Sequence, residues 1–148
     1  SAAVRDPSFI TACAERFGAQ AVVVAVDAVD DGENAIAIDG GSTRIDGDPL
    51  DFATRAVEAG AGEILLQSVR RDGMLVGMDL DLIARVSGAV PVPVVASSGA
   101  GAYSDFLAAF EAGADAVAAG AMFQFTEQTP RGARDFLQEH GVAVRMAG

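Results

Sequence analysis

Four apolar runs in this chain are each followed at once by residues able to do chemistry. Asp27 follows Ala21-Val22-Val23-Val24-Ala25-Val26, Ser68 follows Ile64-Leu65-Leu66-Gln67, Ser97-Ser98-Gly99 follows Val92-Pro93-Val94-Val95-Ala96, and Gly120 follows Ala116-Val117-Ala118-Ala119. A carboxylate after six apolar residues is costly unless it is hydrogen-bonded, paired or used to move a proton. Asp27 is therefore a candidate general acid or base, with an N-cap or turn aspartate as the plain alternative. The glycine-containing turns point to other chemistry. Ser97, Ser98 and Gly99, together with Gly120 and Ala121, would expose backbone N–H groups beside a helix N-terminus and hold a phosphate without any lysine. Asp72 and Gly73, in Arg70-Arg71-Asp72-Gly73, would add a turn of the same kind. Close packing of helix on sheet would ask for the same glycines. His140 reads as a helix C-terminal residue and Met122-Phe123-Gln124-Phe125 as core or subunit-contact material.

Helical and strand patterns alternate around these residues: helix 7–17, strand 21–26, helix 49–59, strand 63–67, helix 79–87, strand 92–97, helix 103–112, strand 115–119 and helix 130–139. Continuous Val/Ile/Leu/Ala runs are typical of parallel strands covered on both faces. Successive strand exits that carry chemistry are how a parallel barrel builds a site, and four are half of what a closed (β/α)8 barrel needs. The fold class expected is α/β: half of such a barrel, four parallel strands with surrounding helices and a leading helix, in one domain over residues 1–148. Gly18-Ala19, Gly60-Ala61 and Gly113-Ala114 mark helix stops before strands, and Glu58-Ala59-Gly60-Ala61 matches Glu111-Ala112-Gly113-Ala114 as an internal repeat. Asp6-Pro7, Asp48-Pro49 and Ser104 or Asp105 mark helix starts. Residues 28–48, with Asp30-Asp31-Gly32, Ala35-Ile36-Ala37-Ile38 and Gly40-Gly41, fit a hairpin-like insertion serving as a lid, a partner surface or decoration.

Composition sets outer bounds. The chain has 148 residues, 51% of them hydrophobic, enough for one real core. A net charge of −11, with arginine as the only strong base, argues against a nucleic-acid partner. One cysteine, Cys13, forms no internal disulfide, no metal-ligand spacing is present, and no run approaches membrane-spanning length. A soluble cytoplasmic protein without metal or cofactor is expected.

The motifs Ala2-Ala3-Val4, Gln20 through Ala28, Gly60-Ala61-Gly62-Glu63-Ile64-Leu65-Leu66, Arg71-Asp72-Gly73 with Gly77-Met78-Asp79, Gly99-Ala100-Gly101 and Gly113-Ala114-Asp115-Ala116 occur in order. Together they resemble the C-terminal half of the cyclase subunit of imidazole glycerol phosphate synthase, in the histidine-biosynthesis (β/α)8-barrel family, along essentially the whole chain. The resemblance implies an enzyme that takes ammonia from a glutaminase partner and closes an imidazole ring on a bisphosphorylated ribulosyl aminoimidazole carboxamide. Two aspartates act there as acid and base, one from the first strand and one from the fifth, and Asp27 matches the second of these. Phosphate contacts fall on Asp72, Gly73, Gly99, Gly120 and Ala121, and Ser1 lies where the family has a threonine of the other phosphate site.

The departures carry their own expectations. Relative to the family, everything before Ser1 is missing, the first-strand aspartate included, so the chain alone is expected to be inactive. Arg70-Arg71-Asp72-Gly73-Met74 stands where the family reads Asp-Arg-Asp-Gly-Thr, Ser98 replaces a glycine, and Ala121 replaces a serine. These changes imply relaxed selection, a different substrate, or a cyclase-like paralogue of surface-sugar amidation. Three functions stay open: half of a cyclase completed by another chain, a non-catalytic half-barrel closing on a second copy as a homodimer, and a module that binds a phosphorylated molecule, or a phosphate or sulfate ion, without turnover.

Overall fold

The computed structural model describes residues 1–30 and 34–144. In chain order the elements are α1 (Ala2–Arg5), α2 (Ser8–Phe17), a 3-10 turn at Ala19–Ala21, β1 (Val23–Asp30), β2 (Asn34–Ile38), β3 (Thr43–Asp46), α3 (Pro49–Glu58), β4 (Glu63–Ser68), α4 (Leu80–Ser87), β5 (Val94–Ser97), α5 (Tyr103–Glu111), β6 (Ala116–Ala118), α6 (Ala121–Phe125) and α7 (Pro130–Glu139). One six-stranded sheet runs β3-β2-β1-β4-β5-β6. The β1-β4, β4-β5 and β5-β6 pairs are parallel, while β2 and β3 join antiparallel at the β1 edge. Four parallel strands connected through helices form an α/β fold that matches part of a (β/α)8 barrel.

Alternation along the strands decides which face is covered. Val24, Val26 and Ala28 of β1, Ile64, Leu66 and Ser68 of β4, and Val94 and Ala96 of β5 are buried. Register stacks them in rows, Val24–Ile64–Val94 and Val26–Leu66–Ala96. Helices cover these rows with apolar stripes at helical spacing: Phe52, Ala53 and Ala56 from α3, Leu82, Ile83 and Val86 from α4, Phe106 and Ala109 from α5. Each of the larger of these side chains, Phe52, Leu82, Ile83, Val86 and Phe106, contributes about 1.5–3 kcal/mol when fully buried, and the alanines less. The opposite face carries Val23, Ala25, Leu65 and Val95 and is only partly covered, Val23 being 53% exposed.

Local signals account for the helix ends. Asp48 accepts from the Leu50 N–H and precedes Pro49 at the start of α3, and Thr129 accepts from the Gly132 N–H at the start of α7. Asp6 accepts from the N–H and hydroxyl of Ser8 ahead of α2. At the start of α5 it is Asp105 that caps, reaching back to the Gly101 and Ala102 N–H groups. Gly60 and Gly113 both adopt positive φ, +113° and +105°, and turn the chain from helix back to sheet.

Several expected boundaries move. The first strand spans Val23–Asp30 rather than 21–26, because antiparallel pairing with β2 extends it past Asp27. Residues 28–30 therefore belong to β1, and β2 and β3 form a hairpin turned by Asp39, Gly40 and Gly41 at positive φ. Asp31 and Gly32 lie outside the described residues. The segment Met122–Phe125 lies in the short helix α6, in which Met122 is fully buried and Phe125 is 77% exposed.

Candidate functional site

The parallel strands end at one rim, and the loops leaving β4 and β5 are fastened to each other there. The Gly77 N–H donates to the Gly99 carbonyl at 2.9 Å. The contact is close enough that a Cβ on Gly99 would lie 2.3 Å from the Gly77 oxygen, and one on Gly101 would lie 2.6 Å from the Leu75 oxygen. Arg71 Nη1 donates to the Gly77 carbonyl at 3.4 Å, and Asp105 holds the Gly101 and Ala102 N–H groups at 2.8 and 2.9 Å. Gln128 Nε2 donates to the Gly101 carbonyl at 2.6 Å, tying the loop after β5 to the segment ahead of α7.

This fastening brings the nominated residues together. Asp72, Gly73, Ser97, Ser98, Gly99, Gly120 and Ala121 line one small cavity of about 30 Å³. A larger cavity of about 250 Å³ is lined by Asp27, Gly40, Gly41, Gln67, Val69, Asp72 and Ser98. Asp72 and Ser98 belong to both walls, so the aspartate of β1 and the glycine turns open onto neighbouring spaces. The turn of the β2–β3 hairpin supplies Gly40 and Gly41 to the larger cavity. A separate apolar cavity of about 170 Å³, between α2, the hairpin and α3, is lined by Ile10, Ile36, Ile45 and Phe52 and contains none of these residues.

Asp27 sits within β1, in register with Gln67 of β4, which is in register with Ser97 of β5 and through it with Ala118 of β6. All four are half-buried on the open face. Strand spacing puts Asp27 about 10 Å from Ser97 along this row. Gln67 is the residue that sequence reasoning passed over in favour of Ser68. Ser68 points the other way and is 3% exposed among the helices. The signal that could have found Gln67 is its odd parity within the run from Glu63, which sets it on the face of Asp27 once the strands are aligned.

Asp27 Oδ1 is buried and has no hydrogen-bond partner. Burial pushes this carboxyl above its usual range, and the nearby Asp72 carboxylate adds to the rise. A carboxyl so placed holds a proton to higher pH than an exposed one, which suits exchange of a proton with a molecule in the larger cavity.

At the glycine turns, Ser98 and Gly99 take φ of +78° and +90°, and Gly73 takes +74°. Gly99 is demanded by its contact with Gly77. A Cβ at Gly73 or Gly120 would meet no heavy atom within 4 Å, so packing does not require glycine there. The helix after Gly120 has only five residues, so anion binding here would rest on N–H groups and hydroxyls more than on a helix dipole. No described helix is long and apolar enough to cross a membrane.

Comparison with known proteins places this geometry in a family. The chain is 43% identical to imidazole glycerol phosphate synthase subunit HisF of Alkaliphilus metalliredigens, over 98% of its own length. It is 43% identical to the subunit of the same name from Chlorobaculum parvum over 99% of its length, and 46% identical to that of Halalkalibacterium halodurans over 98%. In each case the chain spans 59% of the relative's length. Residues 1–129 match the family described as "Histidine biosynthesis protein". The chain belongs to the histidine biosynthesis protein family.

Proposed function

We propose that this chain forms the C-terminal half of a cyclase site of the imidazole glycerol phosphate synthase type. Asp27 exchanges protons during ring closure, and the turns at Gly73, Ser98–Gly99 and Gly120–Ala121 hold a phosphate of the substrate. The observation that carries this reading is the pair of adjoining cavities sharing Asp72 and Ser98, with Asp27 on one side and the glycine turns on the other. A second proton-transfer group and a second phosphate site belong to the complementary half of the barrel. Ammonia comes from a glutaminase partner in the cytoplasm.

The test is complementation. The chain is mixed with a separately produced N-terminal half of the Halalkalibacterium relative, and ammonia-dependent ring closure is followed. Turnover in the mixture, lost with Asp27→Asn, is the expected result. A soluble, folded mixture without turnover overturns the cyclase assignment.

The open sheet face supports a second reading, closure on another copy of the same chain. Val23, Ala25, Leu65 and Val95 would meet their counterparts across a two-fold axis, removing apolar surface from water. The net charge of −11 on each copy opposes that association and makes it stronger in salt.

A further inference from the structure

We propose that the Ser98 hydroxyl is itself a ligand of the anion held at this rim, a role that rests on the phosphate-site reading above. Ser98 is 6% exposed, and its Oγ is buried without a hydrogen-bond partner. A buried hydroxyl left unpaired is unfavourable. The residue also takes φ +78°, where a side chain with a Cβ is strained and glycine is the natural choice. Glycine at this position would remove both penalties at once. Both fall on a residue that lines the two adjoining cavities, which is where a polar group gains from a bound ligand.

The rest of the wall shows what the hydroxyl would add. Among the described residues no basic side chain lines the small cavity, and the hydroxyls in its wall are those of Ser97 and Ser98. Position 121, at the first residue of α6, is alanine and offers only its backbone N–H. The Asp72 carboxylate lies in the same wall and repels an anion, so each neutral donor counts for more. Ser97 belongs to the row containing Asp27 and Gln67, whereas Ser98 stands at the junction with the glycine turns. A phosphate oxygen accepting from Ser98 Oγ satisfies the orphaned hydroxyl and gives the site a donor that position 121 does not supply.

The experiment titrates inorganic phosphate into the intact chain and into S98G and S98A, following backbone amide shifts, with thermal melting in parallel. S98G is expected to melt at or above the parent's temperature while its phosphate Kd rises about tenfold, and S98A to lose affinity similarly. Affinity lost without stability lost is a result that a purely structural serine does not give. If the parent binds phosphate and both variants bind it equally well, the role of Ser98 is overturned and the phosphate site stands. If the parent does not bind phosphate, both fall.

Discussion

Two glycines at the rim look alike in sequence and differ in what a methyl group would meet. Gly99→Ala places a Cβ 2.3 Å from the Gly77 carbonyl oxygen, at a φ of +90°. The left-handed backbone costs about 1–2 kcal/mol and the overpacking about 1–3 kcal/mol. Their sum, near 3 kcal/mol, is a large share of the roughly 5–15 kcal/mol that holds a domain together. The melting temperature should fall by roughly 10 °C. Gly120→Ala places its Cβ where no heavy atom lies within 4 Å, at a φ of −121°. Its stability should match or exceed the parent's, by up to about 1 kcal/mol, because alanine has fewer unfolded conformations to lose. Phosphate affinity should nonetheless fall about tenfold, as the methyl occupies space an anion would take. Urea denaturation and phosphate titration of both variants make the check. Undiminished phosphate binding by Gly120→Ala would refute a close approach of the anion at that turn, and undiminished stability of Gly99→Ala would refute the Gly77–Gly99 contact.

Three further outcomes follow from the same geometry. Burial raises the folded-state pKa of Asp27 above its unfolded value, so its contribution to stability is present below the unfolded carboxylate range and lost as pH rises through the folded value. The urea midpoint of Asp27→Asn should therefore gain on the parent's from pH 4 to 7, and parallel pH curves would count against a desolvated carboxyl. Asp48→Ala removes the α3 cap at Leu50 and the 2.6 Å bridge to Arg85, and should cost about 1–2 kcal/mol by urea denaturation, mostly from the cap. Arg85→Ala should cost less than about 1 kcal/mol, and equal losses would show that the bridge dominates. If copies close through the open sheet face, Val23→Arg, set in register with Glu63, should raise the dissociation constant at least tenfold by sedimentation while leaving the fold intact. An unchanged oligomeric state would remove that face from the interface.

The parallel strands were legible because their apolar runs are continuous in sequence, although burial alternates along them and helices cover one face only, and the caps at Asp48 and Asp105 because such residues satisfy free N–H groups near helix starts. What stayed hidden depends on partners distant in sequence. Asp27 looked like a strand end because it interrupts an apolar run, yet β2 returns alongside and carries the strand on to Asp30. The five-residue α6 is too short for a helical period to show. The fastening of Gly77 to Gly99 joins two separate loops, and no local pattern announces it.

Register is the deeper reason the site could be read only in part. Four side chains or turns can each be named as strand-exit chemistry from their own neighbours, but their separations follow from how the strands slide against one another. A one-residue slip of β4 would put Ser68, not Gln67, beside Asp27, and turn Ile64 and Leu66 out of the core. The burial of Ile64 at 0% and Leu66 at 2% fixes the observed register, so the apolar residues of β4 determine which polar residue meets the aspartate. Gln67 thereby becomes the nearest in-register polar neighbour of Asp27, able to donate to or accept from whatever group exchanges a proton with it. Gln67→Leu should leave the core packing intact while altering the pH dependence of any reaction assigned to Asp27. An unaltered profile would place Gln67 among the structural residues of the sheet.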